Sequence, residues 1–200
     1  DSRQFYKELD IGVASPSEQE TKIVPHYFIK NTSIKNHYSV GKYEEEGIKL
    51  LSKLFDQYDV LFVCGGSGLY IDALCEGLNK FPSVPVKIKN KLLREYKENG
   101  LRQLQIELKR NDLHTYNSID INNHRRVIRA LEIYRTTDIP FSVFKKNNIQ
   151  KRIFNTLFIS LTQKRELIYQ NINHRVDNMI KRGLIKEVKS LVKYRDLKSL

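Results

Sequence analysis

Cysteine is scarce in this chain of 200 residues, and membrane-length apolar runs and a secretory leader are missing; each lack removes a class of protein. Two cysteines are too few for a disulfide framework or a zinc cage. Cys64 in an apolar run and Cys75 further along the next helix read as buried free thiols of a reducing compartment. No apolar run approaches the roughly 20 residues that a membrane helix requires. With no signal peptide either, a cytoplasmic protein with no membrane partner is expected. The chain opens at Asp1 without a methionine, so its natural start is expected upstream. It has no internal repeat and no low-complexity tract.

What is abundant is positive charge. Thirty-five Lys and Arg against 23 Asp and Glu give a net charge of +12, which suits a polyanionic partner because clustered cations release the counterions condensed on phosphate backbones. Between Lys80 and Arg110 there are nine basic and three acidic residues. Lys87, Lys89, Lys91, Arg94 and Lys97 recur closely enough to crowd one helical face. A solvated lysine-rich helix is the competing reading.

Apolar spacing divides the chain. Residues 1–40, punctuated by Gly12, Pro16 and Pro25, read as loop-rich surface with a short extended piece at 26–29. Ile48, Leu51, Leu54 and Phe55 then recur at helical spacing, and residues 60–64 read as a buried strand of the parallel type. A helix from about Leu69 stops near Gly77, and Pro82 and Pro85 mark a boundary. From 86 to 136 the period is helical throughout; strand character returns at 153–161, followed by an amphipathic helix through Ile168, Ile172, Val176 and Ile180 to Gly183. Strands thus flank a helical insertion: residues 1–81 and 151–200 form a core, and 82–150 the insertion.

The segment Cys64-Gly65-Gly66-Ser67-Gly68-Leu69-Tyr70 is the most informative stretch. A strand that empties into glycines and then a helix aims free N–H groups and a serine hydroxyl at a site where the helix dipole favours an anion, phosphate or diphosphate above all. The alternative is a tight strand-to-helix turn and nothing more. Asp1-Ser2-Arg3-Gln4 is dense in groups able to hydrogen-bond a planar base, with Asp1 able to accept a proton; a polar surface loop reads the same way. Arg125, Arg126 and Arg129 gather at a helix start that Asn122 or Asn123 can cap, while Val127, Leu131 and Tyr134 take the core side. The guanidinium fork suits phosphate, although pairing with Glu132 would also use it. Arg165 and Arg175 fall on nearly one face of the later helix.

Five motifs in order carry a family likeness: Asp1-Ser-Arg-Gln-x-Tyr-Lys-x-Leu-Asp-Ile-Gly, Val24-Pro25-His26, Tyr38-Ser39-Val40, Gly65-Gly66-Ser67-Gly68-Leu69-Tyr70, and Asn123-x-x-Arg126-Val127-x-Arg129-Ala130-Leu131-Glu132. Together they closely resemble tRNA dimethylallyltransferase, the tRNA isopentenyltransferase of the bacterial type, over essentially the whole chain. The resemblance implies an α/β fold, a P-loop NTPase-like parallel-sheet core carrying a helical tRNA-binding insertion. It implies transfer of a dimethylallyl group from its diphosphate to the exocyclic amine of the adenine 3′ of the anticodon, by a magnesium-dependent, cytoplasmic, monomeric enzyme. By the same likeness Asp1 is the general base, and Ser67, where threonine is usual, keeps a hydroxyl near the leaving diphosphate. Gly66 and Arg175 join Ser67 in binding diphosphate. The tRNA contacts implied are Asp1, Ser2, Arg3, Gln4, Ser67, Lys89, Arg125, Arg126, Val127, Ile128 and Arg129.

One departure is plain: the family's G-x-x-x-x-G-K-[ST] loop, which would supply the magnesium ligand, is absent from these residues. Truncation at both ends is the expectation, and with it no metal ligand in this chain and no activity of the 200 residues alone. Two rival functions remain: an adenylate isopentenyltransferase of cytokinin synthesis, against which the basic insertion counts, and a non-catalytic RNA-binding fragment.

Overall fold

Two compact units share the chain, Asp1–Gly77 with Lys151–Leu200, and Leu78–Gln150. The computed structural model describes residues 1–145, 150–197 and 199. In chain order, a 3-10 turn at Ser2–Phe5 precedes α1 (Glu18–Ile23), α2 (Val40–Phe55) and α3 (Gly68–Cys75). The second unit holds α4 (Val86–Asn99), α5 (Leu101–Asn111), α6 (Leu113–Ser118), α7 (His124–Thr137) and α8 (Phe141–Phe144). The first unit resumes with α9 (Arg165–Arg182), α10 (Leu184–Leu191) and a 3-10 turn at Val192–Tyr194.

In the first unit, α2 starts where the Ser39 hydroxyl accepts the Lys42 N–H, and it buries Tyr43, Gly47 and Leu51, one residue per turn along a single face. A Cβ on Gly47 would stand 2.7 Å from Leu74 Cδ1, so the bare glycine is what lets α3 lie close against α2. Around this contact, Phe5 meets Tyr38, Tyr43 and Tyr70 at centroid distances of 5.1, 5.5 and 5.6 Å, an aromatic cluster that unites the first 40 residues with both helices.

That cluster corrects the reading of residues 1–40 as surface: Phe5, Tyr6, Val13, Ile34 and Tyr38 are buried. Their spacing follows no period, so no pattern announced them. Polar clamps hold the irregular backbone. The Glu8 carboxylate accepts the Ser33 hydroxyl at 2.5 Å and the Ile34 N–H at 3.0 Å. Burial works to raise the Glu8 pKa, but these two bonds, with a bond to its own backbone and the Lys35 charge, together leave the carboxyl below its ordinary range. The piece at 26–29 is not simply extended, since Phe28 turns left-handed at φ 61°. Helix α1 lies inside the stretch expected to be loop, and it starts at a capping box of Ser17 with Glu20, whose side chains satisfy each other's backbone N–H groups.

The expected parallel-sheet core is not present among the described residues. Residues 60–64 and 153–161 run without strand pairing, and the sheet-like pairing present is one isolated parallel bridge between Tyr6 and Thr32. Parallel strands are stable when neighbours complete their ladders and layers cover both faces. Here Phe62 and Leu161 are 85% and 94% exposed, so neither condition is met. Cys64 is exposed with them, against the expectation of a buried thiol.

The second unit is a helical bundle. Leu92 of α4, Leu104 and Leu108 of α5, and Val127, Ile128, Ala130 and Leu131 of α7 form its core. Arg135 ties the three helices together: it meets Glu107 at 2.8 and 2.5 Å and Glu95 at 3.0 and 2.7 Å, two bidentate forks on one guanidinium. Bonding to Glu107 first, and Glu95 next, raises the Arg135 pKa further above its ordinary value. Asp112 does the same for α6 and α8, accepting the Thr115 N–H and hydroxyl at 3.0 and 2.6 Å and the Ser142 N–H at 2.8 Å. No helix among the described residues is long and apolar enough to cross a membrane.

Candidate active site

Ser67 stands at the N-cap of α3, yet its side chain makes no capping bond. Its backbone carbonyl starts the helix instead, accepting the Tyr70 and Ile71 N–H groups at 2.8 and 3.2 Å. The hydroxyl is thereby released for a longer reach: Ser67 Oγ accepts the backbone N–H of Ser2 at 3.1 Å. An accepting hydroxyl keeps its own proton to donate elsewhere. The two main chains lie side by side, for a Cβ on Gly65 would sit 3.8 Å from the Asp1 nitrogen. A Cβ on Gly66 or Gly68 would meet nothing within 4 Å, so both positions of the turn border open space.

The opening residues are held by their own capping box. Asp1 Oδ1 accepts the Arg3 N–H at 2.9 Å, and Gln4 Oε1 accepts from the Asp1 nitrogen at 3.3 Å. The Gln4 amide is oriented from its other end, where Nε2 donates to the carbonyls of Val13 at 3.1 Å and Ala14 at 2.9 Å. This link is one that sequence reasoning missed, because it joins side chain to backbone across a turn without periodicity. Asp1, Ser2, Gln4, Gly66, Ser67 and Arg175 all line one cavity of about 1210 Å3 in the first unit. Tyr27, Phe28, Tyr58 and Phe62 give the same cavity an apolar stretch. Thus a carboxylate, a hydroxyl, a glycine turn and a guanidinium border one space with both polar and apolar walls. Arg165, on the same helix as Arg175, is engaged locally: its Nε donates to the Tyr169 hydroxyl at 2.8 Å.

In the second unit, the Asn123 side chain caps α7, accepting the Arg125 and Arg126 N–H groups at 3.2 and 3.4 Å. The first turn carries His124, Arg125 and Arg126 and no acidic residue, which opposes the positive end of the helix dipole. Such a local conflict is relieved by an anion at the helix start. Arg125 and Arg126 are exposed there. His124 is fixed by a neighbour that no motif pointed to: its ring stacks on Tyr96 of α4 at 4.9 Å and 2°.

Val127 and Ile128, named among the expected tRNA contacts, have buried side chains in the bundle core. They follow the helical period inward, so their side chains pack the bundle core. Arg129 is engaged within the unit, paired with Glu132 at 3.0 Å and lying over the Phe81 ring at 5.6 Å. Lys89 lies on α4, half-buried. Among the described residues no three of His, Cys, Asp and Glu converge as metal ligands.

The family model described as IPP transferase matches residues 4–200. The chain is 41% identical over 200 residues to tRNA dimethylallyltransferase 2 of Azobacteroides pseudotrichonymphae, covering all of this chain and 65% of that protein. Among solved structures, the full-length tRNA isopentenylpyrophosphate transferase of Bacillus halodurans matches at 31% identity with a TM-score of 0.62, over 100% of this chain and 62% of that one. A eukaryotic dimethylallyltransferase captured acting on tRNA matches at 27% identity and a TM-score of 0.72, over 98% of this chain and 49% of that one. The chain therefore spans about two thirds of the length of the bacterial relatives it matches.

Proposed function

This chain belongs to the IPP transferase family, and from that premise we propose that its protein transfers a dimethylallyl group from dimethylallyl diphosphate to the exocyclic amine of the adenine 3′ of the anticodon in tRNA. The observation that carries the reading is the Ser2 N–H to Ser67 Oγ bond, which joins the Asp1 segment to the glycine turn on one cavity wall. Asp1 takes the proton of the attacking amine as that nitrogen bonds to the methylene carbon that carries the diphosphate oxygen. The carbon–oxygen bond breaks, and its electron pair leaves with the diphosphate. Ser67, Gly66 and Arg175 receive that anion, and the same helix-start donors that bind it in the ground state stabilise the charge gathering on its oxygen. Little else is required than positioning in line.

The remaining parts of the reading follow the same pattern. The parallel-sheet core is proposed for the whole protein, supported by the likeness to solved relatives. The helical unit is proposed to bind the anticodon stem-loop through Lys89, Arg125 and Arg126, with Arg129 joining once released from Glu132; Ser2, Arg3 and Gln4 meet the nucleotide. We place the monomeric enzyme in the cytoplasm, where tRNA is found. Magnesium, implied by the family, finds no three-ligand cluster among the described residues, and no step is routed through it.

The test uses the full-length protein with unmodified tRNA, dimethylallyl diphosphate and magnesium. A prenyl mass gain on tRNA is expected, and Asp1→Asn should lower the rate by about 10² to 10⁴ while tRNA still binds. Prenylation of AMP in preference to tRNA would favour the adenylate enzyme. No transfer to either acceptor would sink the proposal.

A further inference from the structure

The Glu187 carboxylate of α10 accepts three successive backbone N–H groups, those of Asp10 at 3.0 Å, Ile11 at 2.8 Å and Gly12 at 2.9 Å. Consecutive amides that converge this way form a concave anion seat, and here the seat is filled by a side chain 175 positions away in sequence. The fit is close, for a Cβ on Gly12 would lie 3.2 Å from Glu187 Oε1 and 3.3 Å from Leu184 Cδ1. A second brace joins the same loop: Lys30 Nζ meets Asp10 Oδ1 at 2.5 Å.

The clamped loop continues directly into the groups that hold the opening segment. The Ala14 N–H donates to the Ile11 carbonyl at 3.1 Å and the Ser15 N–H to the Asp10 carbonyl at 3.0 Å. That turn presents the Val13 and Ala14 carbonyls to Gln4 Nε2, and Gln4 is tied to Asp1 by its own N–H, which donates to the Asp1 carbonyl at 3.0 Å. An amide with both carbonyl partners fixed has one orientation only, oxygen toward Asp1. Hydrogen bonds therefore run from Glu187 through the turn to the main chain of Asp1.

We infer that Glu187 is a positioning residue for the reaction: by seating the amides of residues 10–12 it sets the Gln4 amide and, through it, the orientation of Asp1 and Ser2 against Ser67. Its catalytic consequence rests on the function proposed above. Its structural content does not, since the relay is a statement about which backbone groups depend on the carboxylate. Glu187 touches no reacting atom, so its loss acts on the chemical step and leaves recognition of the diphosphate in place.

The full-length protein tests this with Glu187→Ala, Glu187→Gln, Gln4→Ala and the Glu187→Ala/Gln4→Ala double variant. Gln keeps the shape but turns one accepting oxygen into a donating NH2, and it carries the comparison if the alanine variant fails to fold. Amide hydrogen exchange should rise about tenfold or more both at residues 10–12 and at residues 2–4. The kcat for tRNA should fall about tenfold to a hundredfold, the loss expected of a small misplacement, with KM for dimethylallyl diphosphate within about twofold. The double variant should fall no further than the worse of its two parents. Exchange confined to residues 10–12, or losses that multiply in the double variant, would overturn the relay. Should the wild type modify no tRNA, the functional reading fails alone, and the exchange at residues 2–4 still decides whether the relay exists.

Discussion

Ser67 Oγ accepts the Ser2 N–H at 3.1 Å, a bond between residues 65 positions apart that no helix or strand period connects. It assigns the serine at the head of α3 to a tertiary contact in place of the local cap its position offers. From that bond comes the first expectation: Ser67→Ala removes the acceptor for Ser2 and the hydroxyl facing the cavity, and should lower prenyl transfer by about 10² to 10³. Ser67→Thr keeps the hydroxyl and should retain activity within about tenfold, its added methyl limiting χ1. Single-turnover rates with tRNA decide both; equal rates for Ala and wild type would remove Ser67 from the site.

The position of Ser67 in turn depends on the approach of α3 to α2. Gly47→Val places carbon where Leu74 now stands, at a buried position with little room to yield. Overpacking of this kind costs about 1 to 3 kcal/mol. Urea unfolding should report the loss, and transfer activity should drop with it as Ser67 shifts. A variant as stable as wild type would mean that Leu74 finds another rotamer.

Arg135 holds two carboxylates from different helices, so Arg135→Ala leaves Glu95 and Glu107 facing each other without a cation. Breaking a fully buried pair costs about 3 to 5 kcal/mol, and these side chains are partly exposed, which reduces the expected loss to about 2 kcal/mol. The hydrogen bond from Arg135 holds the Glu95 carboxyl below its ordinary value of 4.5. A depressed carboxyl contributes stability that is present above its unfolded pKa and lost as pH falls through its folded one. Denaturation midpoints of the wild type should therefore decline below about pH 4.5, and Arg135→Ala should flatten this share of the decline. An unchanged slope would assign the acid sensitivity to other groups, such as Glu8.

For the helical unit, salt dependence separates phosphate contacts from solvated charge. Lys89→Ala should weaken tRNA binding and lower the slope of log affinity against log salt by about one unit. Arg126→Ala, at the start of α7, should do likewise. A slope unaffected by either would leave the basic face as solvent-exposed charge, with its partner elsewhere.

What the sequence by itself determined was whatever repeats with a short period or carries a short signal. Ile48, Leu51 and Leu54 marked α2, the apolar period across 86–136 marked the bundle, and the pair Asn122 and Asn123 marked the start of α7 because a cap acts on residues only two or three positions away; the structure uses Asn123. The inward turn of Val127 was legible from the same period.

Tertiary structure decided the rest. It placed Phe5 and Tyr38 in the core of a segment that reads as surface, because burial there comes from partners on α2 and α3 and not from spacing. The apolar runs at 60–64 and 153–161 read as strands, but a strand's hydrogen bonds belong to its neighbours, and among the described residues those runs have no pairing neighbour. Asp1 and Ser67 become one site only when Ser2 crosses to the glycine turn. Glu187 reaches the amides of residues 10–12 the same way. Local propensity is written in neighbouring residues, whereas a site is a matter of which distant atoms the packed core brings within hydrogen-bond reach.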